Sequence, residues 1–313
     1  MRRKYQVLMC LTMLGLLPIA KAEAGWMIEE EIHYRAGSST GPLQALRNSL
    51  IISANRMKTT RLSWDENPLE ALTIDLELQT LMTADYKRRM VVIGPVREYG
   101  VALWGLIQIL GGPLAGPMRQ RWESLQGMPF EQRQVGEHQM LEEMMQSSVR
   151  SGPPAGILPS AEACREPKIT TQSTADTARI AGYQATRYHI YEDGKFTQEI
   201  WVSRGITAWQ EVDLKKLERF IQDMSSKALE VLPGCGRGHG LGLPWLGPHP
   251  NDPAWRLVHE GYAVRIVNHG EGGGTGLNVV KAKSGAVPLT QFQPPTGFAR
   301  QTFLGQLIHA LKM

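Results

Sequence analysis

Eight histidines, three cysteines, a run of three glutamates and two glycine-rich stretches are the parts of this 313-residue chain whose chemistry could go beyond packing. His33, His138, His189, His239, His249, His259, His269 and His309 show no HxxxH, HExxH or CxxC…H spacing, the patterns that set metal ligands on one element. His239 and His249 share a Gly/Pro loop with Cys235, but the next carboxylate that could orient an imidazole there is Asp252. Gly236-Arg237-Gly238-His239-Gly240-Leu241-Gly242 lacks the Gly-Lys-Ser/Thr ending of a phosphate loop, and Gly270–Gly276 carries Glu271 where a phosphate would be repelled. Both read as loops. Ser225 and Ser226 fall inside a predicted helix, and Glu29-Glu30-Glu31 puts acids on both faces of a strand. A glycosidase would need a second acid opposite them, so a solvated edge strand, whose charges discourage aggregation, is the expectation. No catalytic residue, metal or cofactor is expected, and the chain is not read as an enzyme.

The N-terminus reads as an address. Arg2-Arg3-Lys4 precedes the apolar stretch Val7–Ala20, and Ala20-Lys21-Ala22 and Ala22-Glu23-Ala24 are both small-x-small cleavage patterns. Residues 1–22 are therefore expected to be a secretory signal peptide, with the mature protein starting at Glu23 or Gly25 and residing in the periplasm. The apolar stretch is short of the roughly 20 residues that a membrane-spanning helix needs. Cys10 lies inside it after Met9, which disfavours lipidation. Arg2, Arg3, Lys4 and Lys21 account for the whole formal charge of +4, so the remainder is neutral and offers no global footprint for nucleic acid. In an oxidising compartment Cys164 and Cys235 are an even pair. A disulfide between them would close a loop of about 70 residues, worth roughly 4 kcal/mol; two separate thiols are the alternative.

The elements follow from pattern. Period-two alternation from Trp26 to Tyr34, interrupted at Glu30, predicts a strand. Further short strands are expected at Ser49–Ile52, Arg56–Leu62, Leu72–Leu76, Leu81–Asp85 and Arg89–Ile93. Strands this close together must be joined by hairpins, because parallel crossovers need a dozen or more residues. Residues 100–160 change character: Val101–Leu110 is apolar, and Trp122, Leu125, Met140, Leu141, Met144, Met145 and Val149 recur at helical spacing. They read either as amphipathic helices packed on the sheet or as an adaptable Met-rich lid over an apolar ligand. Strands resume at Thr177–Ala181, Ala185–Tyr191 and Phe196–Ser203, the last two joined by an Asp193-Gly194 turn. A helix carrying Leu214, Leu217, Phe220, Ile221, Met224 and Ala228, a strand pair at Gly261–Val267 and Leu277–Ala282, and a short helix from Gln301 complete the chain. Arg56, Lys58 and Arg61, with Lys87-Arg88-Arg89, form basic clusters that read as solvated turns or as peripheral contacts to acidic lipid headgroups.

Ile180-Ala181-Gly182-Tyr183, Tyr188-His189-Ile190-Tyr191-Glu192-Asp193-Gly194-Lys195, Glu199-Ile200-Trp201-Val202 and the segment Val287–Phe298 carry a resemblance to the DUF4412 family of exported bacterial proteins. The match spans residues 26–98 and 168–300. It implies a single LolA-like domain over 23–313: an α+β, mainly β fold in which a curved antiparallel half-barrel wraps around a helix, with residues 100–160 as a helical insertion. The family supplies no catalytic residues to transfer. A half-barrel with an apolar inner face would bind or carry an apolar or lipid-like ligand, each buried methylene contributing about 0.8 kcal/mol. The cavity candidates are Trp104, Leu106 and Met144 from the insertion and Tyr188, Ile190 and Trp201 from the hairpin. The alternative is an envelope-interaction protein with a filled core that docks a partner protein through residues 100–160.

Overall fold

The computed structural model describes residues 22–35, 43–111, 115–151, 168–231, 253–269 and 276–311. The first six strands are β1 (Ala22–Arg35), β2 (Leu43–Ser53), β3 (Arg56–Leu62), β4 (Pro68–Asp75), β5 (Thr80–Asp85) and β6 (Met90–Pro95), each antiparallel to the next. The second set is β7 (Ile169–Ile180), β8 (Tyr183–Glu192), β9 (Lys195–Ser203), β10 (Tyr262–Asn268), β11 (Gly276–Pro288) and β12 (Ala299–Arg300). Three two-residue turns, Ala54-Asn55, Ala181-Gly182 and Asp193-Gly194, hold both central residues at positive φ. That is the type I′ geometry whose twist matches the flanking strands, and it explains why the chain reverses at these dipeptides.

The twelve described strands form one open sheet in the order β12-β6-β5-β4-β3-β2-β1-β11-β10-β9-β8-β7. The two halves of the chain are joined by the β1–β11 ladder, which runs from Ala22 opposite Pro288 to His33 opposite Gly276. Among these strands the short β12 alone is parallel to its neighbour, β6. The sheet is strongly curved. In a flat sheet β8 and β11 would lie three strand spacings, about 14 Å, apart. Yet the Tyr183 hydroxyl donates to the Ala282 carbonyl at 3.2 Å, and its ring lies 6.2 Å from that of Trp26 on β1. The fold is thus the α+β, mainly β class with a curved antiparallel sheet.

Among the described residues five helices accompany the sheet: α1 (Val96–Gly111), α2 (Ala115–Leu125), α3 (Phe130–Ser151), α4 (Leu214–Val231) and α5 (Phe303–Leu311). The inner-face residues Trp26, Ile28, Ile52, Ile74 and Leu81 share one buried cluster with Leu103 and Trp104 of α1, Leu217 and Phe220 of α4, and Leu304 of α5. α1 is the most central of these helices, packing against both α4 and α5. At Gly100 an added Cβ would come within 2.7 Å of the Met224 carbonyl oxygen, so the two backbones meet with no room for a side chain. Burying a side chain of the size of Phe220 or Leu217 contributes about 1.5–3 kcal/mol, and this continuous cluster is what holds the halves together. On the outer face the segment after β11 crosses β3, where Lys58 donates to the Gln291 carbonyl at 2.9 Å, and then brings Phe298 edge-on to Tyr86.

Candidate functional site

The interruption of the β1 pattern at Glu30 marks the most unusual group in the molecule. β1 lies between β2 and β11 in the middle of the sheet, which corrects the expectation that the three glutamates mark an edge strand. Glu29 faces outward to Lys281 at 2.9 Å, and Glu31 lies 3.6 Å from Arg47. Glu30 points inward, 7% exposed, in line with Trp26 and Ile28. Its neighbours across the strands are Asn48, which is buried, and Val279. A bulge sits at this point: Glu29 pairs with Lys281 but Glu30 with Val279, leaving Val280 as the extra residue. The Tyr262 hydroxyl donates to Glu30 Oε1 at 2.7 Å.

Burial raises the Glu30 carboxyl from 4.5 to about 7, against the Tyr262 hydrogen bond, which favours the charged form. Burial and the adjacent carboxylate push the Tyr262 phenol well above its ordinary range. Tyr262 is placed by Gly261, whose φ of +145° and close approach to Ser203 (2.3 Å from an added Cβ to its carbonyl oxygen) exclude a side chain. The phenol ring stacks on Trp209 at 5.8 Å and 22°. Trp209 belongs to the 3₁₀ turn Ala208–Glu211, which rests on β1 and β2. The result is a buried acid that changes charge near neutral pH.

A second group of polar and aromatic side chains lies on the inner face of β8 and β9. The Arg187 guanidinium stands 5.6 Å from the centre of the Trp201 ring, lies 3.4 Å from Glu199 and pairs with Asp176. Trp201 Nε1 donates to Glu199 Oε1 at 2.6 Å. Further along, Phe196 meets His189 at 5.0 Å, Tyr191 at 5.7 Å and His269 at 4.8 Å. Two carboxylates already occupy Arg187, so this is a platform of half-buried rings bordered by a neutralised ion-pair network, not an anion site.

The register of this hairpin decides where the sequence candidates lie. Continued without interruption from the Asp193-Gly194 turn, it would set Trp201 opposite Thr186 and on the side of Tyr188 and Ile190. Thr197 is instead an extra residue: Tyr191 pairs with Phe196 but Ile190 with Gln198, so Trp201 faces Arg187. A one-residue shift moves every later side chain to the other face. Trp201 therefore joins Trp104 and Leu106 in the main inner cluster, whereas Ile190 and Tyr188 belong to a small outer cluster with Ile200, Val202 and Leu257. Of the cavity candidates, the structure thus brings Trp104, Leu106 and Trp201 together and sets Tyr188 and Ile190 apart from them. Met144 lies on α3, with its side chain outside the described residues, as are Cys164 and Cys235, residues 1–21 of the proposed signal peptide and the loop with His239 and His249. Among the described residues no group of three or more His, Cys, Asp or Glu could hold a metal. Gly37-Ser38-Ser39-Thr40-Gly41 has the Gly-x-Ser-x-Gly spacing and lies outside the described residues.

Two features occupy the 100–160 segment. Glu137 of α3, 3% exposed, has its carboxyl pushed up by burial, an effect opposed by the Thr302 hydroxyl, Arg133, Gln126 and Trp122. On the other side of the same helix pair, a groove of about 520 Å³ runs between α2 and α3, lined by Leu125, Met128, Val135 and Gly136 with Arg121 and Glu131 among its polar residues. No helix among the described residues is long and apolar enough to cross a membrane. Within the basic clusters Arg56 pairs with Asp75 at 2.9 Å, Arg61 with Glu70 at 3.4 Å, and Arg88 with Asp85 at 3.3 Å.

No protein-family model matches the sequence. No curated protein matches it either. Among solved structures, the chain is similar to an uncharacterised conserved protein from Thermus thermophilus, with 8% identity and a TM-score of 0.36 over 90% of this chain and 91% of that one. It is also similar to PNGF-II, with 9% identity and a TM-score of 0.32 over 91% of this chain but 33% of PNGF-II. Likenesses this distant carry no argument about function.

Proposed function

We propose that this is an exported, non-catalytic binding protein that takes an apolar or lipid-like ligand against the inner face of the sheet, at the β8–β10 end. The observation that supports the reading is the ring platform of His189, Tyr191, Phe196 and His269, which stays half-buried or exposed while continuing the face that carries Trp201. A row of rings on a concave surface is costly to leave wet and suits an apolar ligand with a polar end. The charged N-terminal residues, the apolar stretch behind them and the resemblance to the DUF4412 family support the periplasm as its compartment, and export remains part of this proposal.

Native mass spectrometry of the protein recovered from the periplasm tests it. A bound apolar adduct is expected, with occupancy reduced severalfold in Phe196→Ala and unchanged in Tyr188→Ala, whose side chain lies on the outer face. A protein that is always empty removes the reading. A second reading has its own support in the α2–α3 groove, where Met128 is 43% and Val135 58% exposed. There the protein would instead dock an envelope partner, and Val135→Glu would abolish co-purification of that partner while leaving the adduct intact.

A further inference from the structure

The Glu30–Tyr262 pair is linked to the cover of the inner face by chain continuity. Trp209, stacked on Tyr262, lies in the turn Ala208–Glu211, and α4 starts at Leu214. Asn55, at the tip of the β2–β3 hairpin, holds this connection with both its backbone and its side chain: its N–H donates to the Glu211 carbonyl at 2.8 Å and its Oδ1 accepts from the Asp213 N–H at 2.6 Å. Asp213 then caps α4, its Oδ1 accepting from the N–H groups of Lys215 and Lys216 at 3.0 and 3.2 Å. Beyond the cap, α4 buries Leu217, Phe220 and Ile221 in the inner cluster. What sits between Tyr262 and the connection is one half-buried indole.

We propose that Glu30 and Tyr262 form a proton-operated latch on residues 208–231: protonated Glu30 keeps the turn and α4 closed over the inner face, and ionised Glu30 lets them lift to admit the apolar ligand. The groups around Glu30 leave little other outcome. β2 offers Asn48, β11 offers Val279 and β10 offers Tyr262. Glu211 is the titratable residue of the turn, and α4 contributes Leu217 and Phe220 to the same cluster. Glu29 and Glu31 are turned to the outer face with Lys281, Arg47 and His33, and among the described residues no ion pair reaches Glu30. A carboxylate walled in this way has one strong hydroxyl donor where a stable buried anion needs two or three. Admitting water relieves it. The strand walls are fixed by ladder hydrogen bonds, so the turn that carries Trp209 is the wall that yields. The Glu30 carboxyl itself is raised by burial to about 7.

Hydrogen exchange on the ligand-free full-length protein, corrected for the intrinsic pH dependence of amide exchange, reads the latch directly. Between pH 6 and 8 protection of residues 205–231 is expected to fall about tenfold, the change in the opening equilibrium that follows from one proton released near pH 7, while β3–β5 stay constant. Glu30→Gln should stay protected throughout, and Tyr262→Phe, which loses the donor to the buried anion, should lose more protection than the wild type over the same interval. Equal protection at both pH values, or a fall that persists in Glu30→Gln, overturns the latch. Its purpose rests on the inner-face binding reading, but the exchange needs no ligand. Opening in a protein that is always empty would sink the binding reading alone; a filled protein with no pH response would sink the latch alone.

Discussion

Tyr262 and Glu30 lie 232 positions apart in the chain, and the phenol of one donates to the carboxylate of the other at 2.7 Å inside the sheet. Their contact joins β1 to β10 on the inner face, so it depends on the β1–β11 ladder that unites the two halves of the chain. A hydrogen bond to a charged acceptor is worth about 1.5–3 kcal/mol net, but here it only partly offsets the cost of burying the charge.

The first consequence is a pH dependence of stability. The folded-state value of Glu30, about 7, lies above the 4.5 expected when it is exposed, so the folded state holds the proton more tightly than the unfolded chain. Stability from this residue is complete below about pH 4.5 and declines as pH rises to about 7, by on the order of 3 kcal/mol. Urea titrations at pH 5 and pH 8 should show that decline in the wild type and a much flatter profile in Glu30→Gln. Matching slopes in the two proteins would show that Glu30 titrates normally.

Gly261 should not tolerate a side chain. Its φ of +145° and the 2.3 Å contact that a Cβ would make with the Ser203 carbonyl are both prohibitive. Gly261→Ala is expected to cost more than about 2 kcal/mol in chemical denaturation and to weaken the Tyr262–Trp209 stack. A midpoint within error of wild type would contradict the geometry.

Trp201 is 9% exposed and touches Arg187 and Glu199, so Trp201→Ala is expected to cost about 3–5 kcal/mol. Deleting Thr197, in contrast, leaves Ile190 opposite Gln198 and Trp201 opposite Arg187 in a regular ladder, and should cost less than about 2 kcal/mol with the near-ultraviolet dichroism preserved. Loss of that signal in the deletion would mean that the bulge itself, not the facing it produces, is required.

If residues 1–22 are removed as the proposed signal peptide, the cut is expected after Ala22 and not after Ala24. The cut after Ala24 would remove Glu23, which lies 3.3 Å from Arg56, and the Ala24 carbonyl that accepts from the Ser53 hydroxyl at 2.7 Å. Intact-mass measurement of the exported protein should return a chain that starts at Glu23; a start at Gly25 would show that these contacts are dispensable.

Much of the architecture was legible in the chain. Alternation placed the strands of the first half, and Asp193-Gly194 marked a hairpin whose turn has both residues at positive φ, as that dipeptide favours. The helical spacing of Leu214, Leu217, Phe220 and Ile221 emerged as α4. The interruption at Glu30 was visible too, but three adjacent glutamates look the same on an edge strand and on a central one. Only the partners on each side distinguish the two. Likewise no local pattern revealed the extra residue at Thr197, and without it Trp201 would share a face with Tyr188.

What the sequence determined by itself is therefore everything governed by short-range physics: the period of burial along each strand, the turns that reverse the chain, and the helical stripes. Tertiary structure alone decided which strands became neighbours, and with that the burial of Glu30 and its contact with Tyr262. The reason is that a pairing between β1 and β11 is chosen by the whole apolar surface it buries, and a bulge by the fit of both neighbours at once; neither quantity is written in any local stretch of residues.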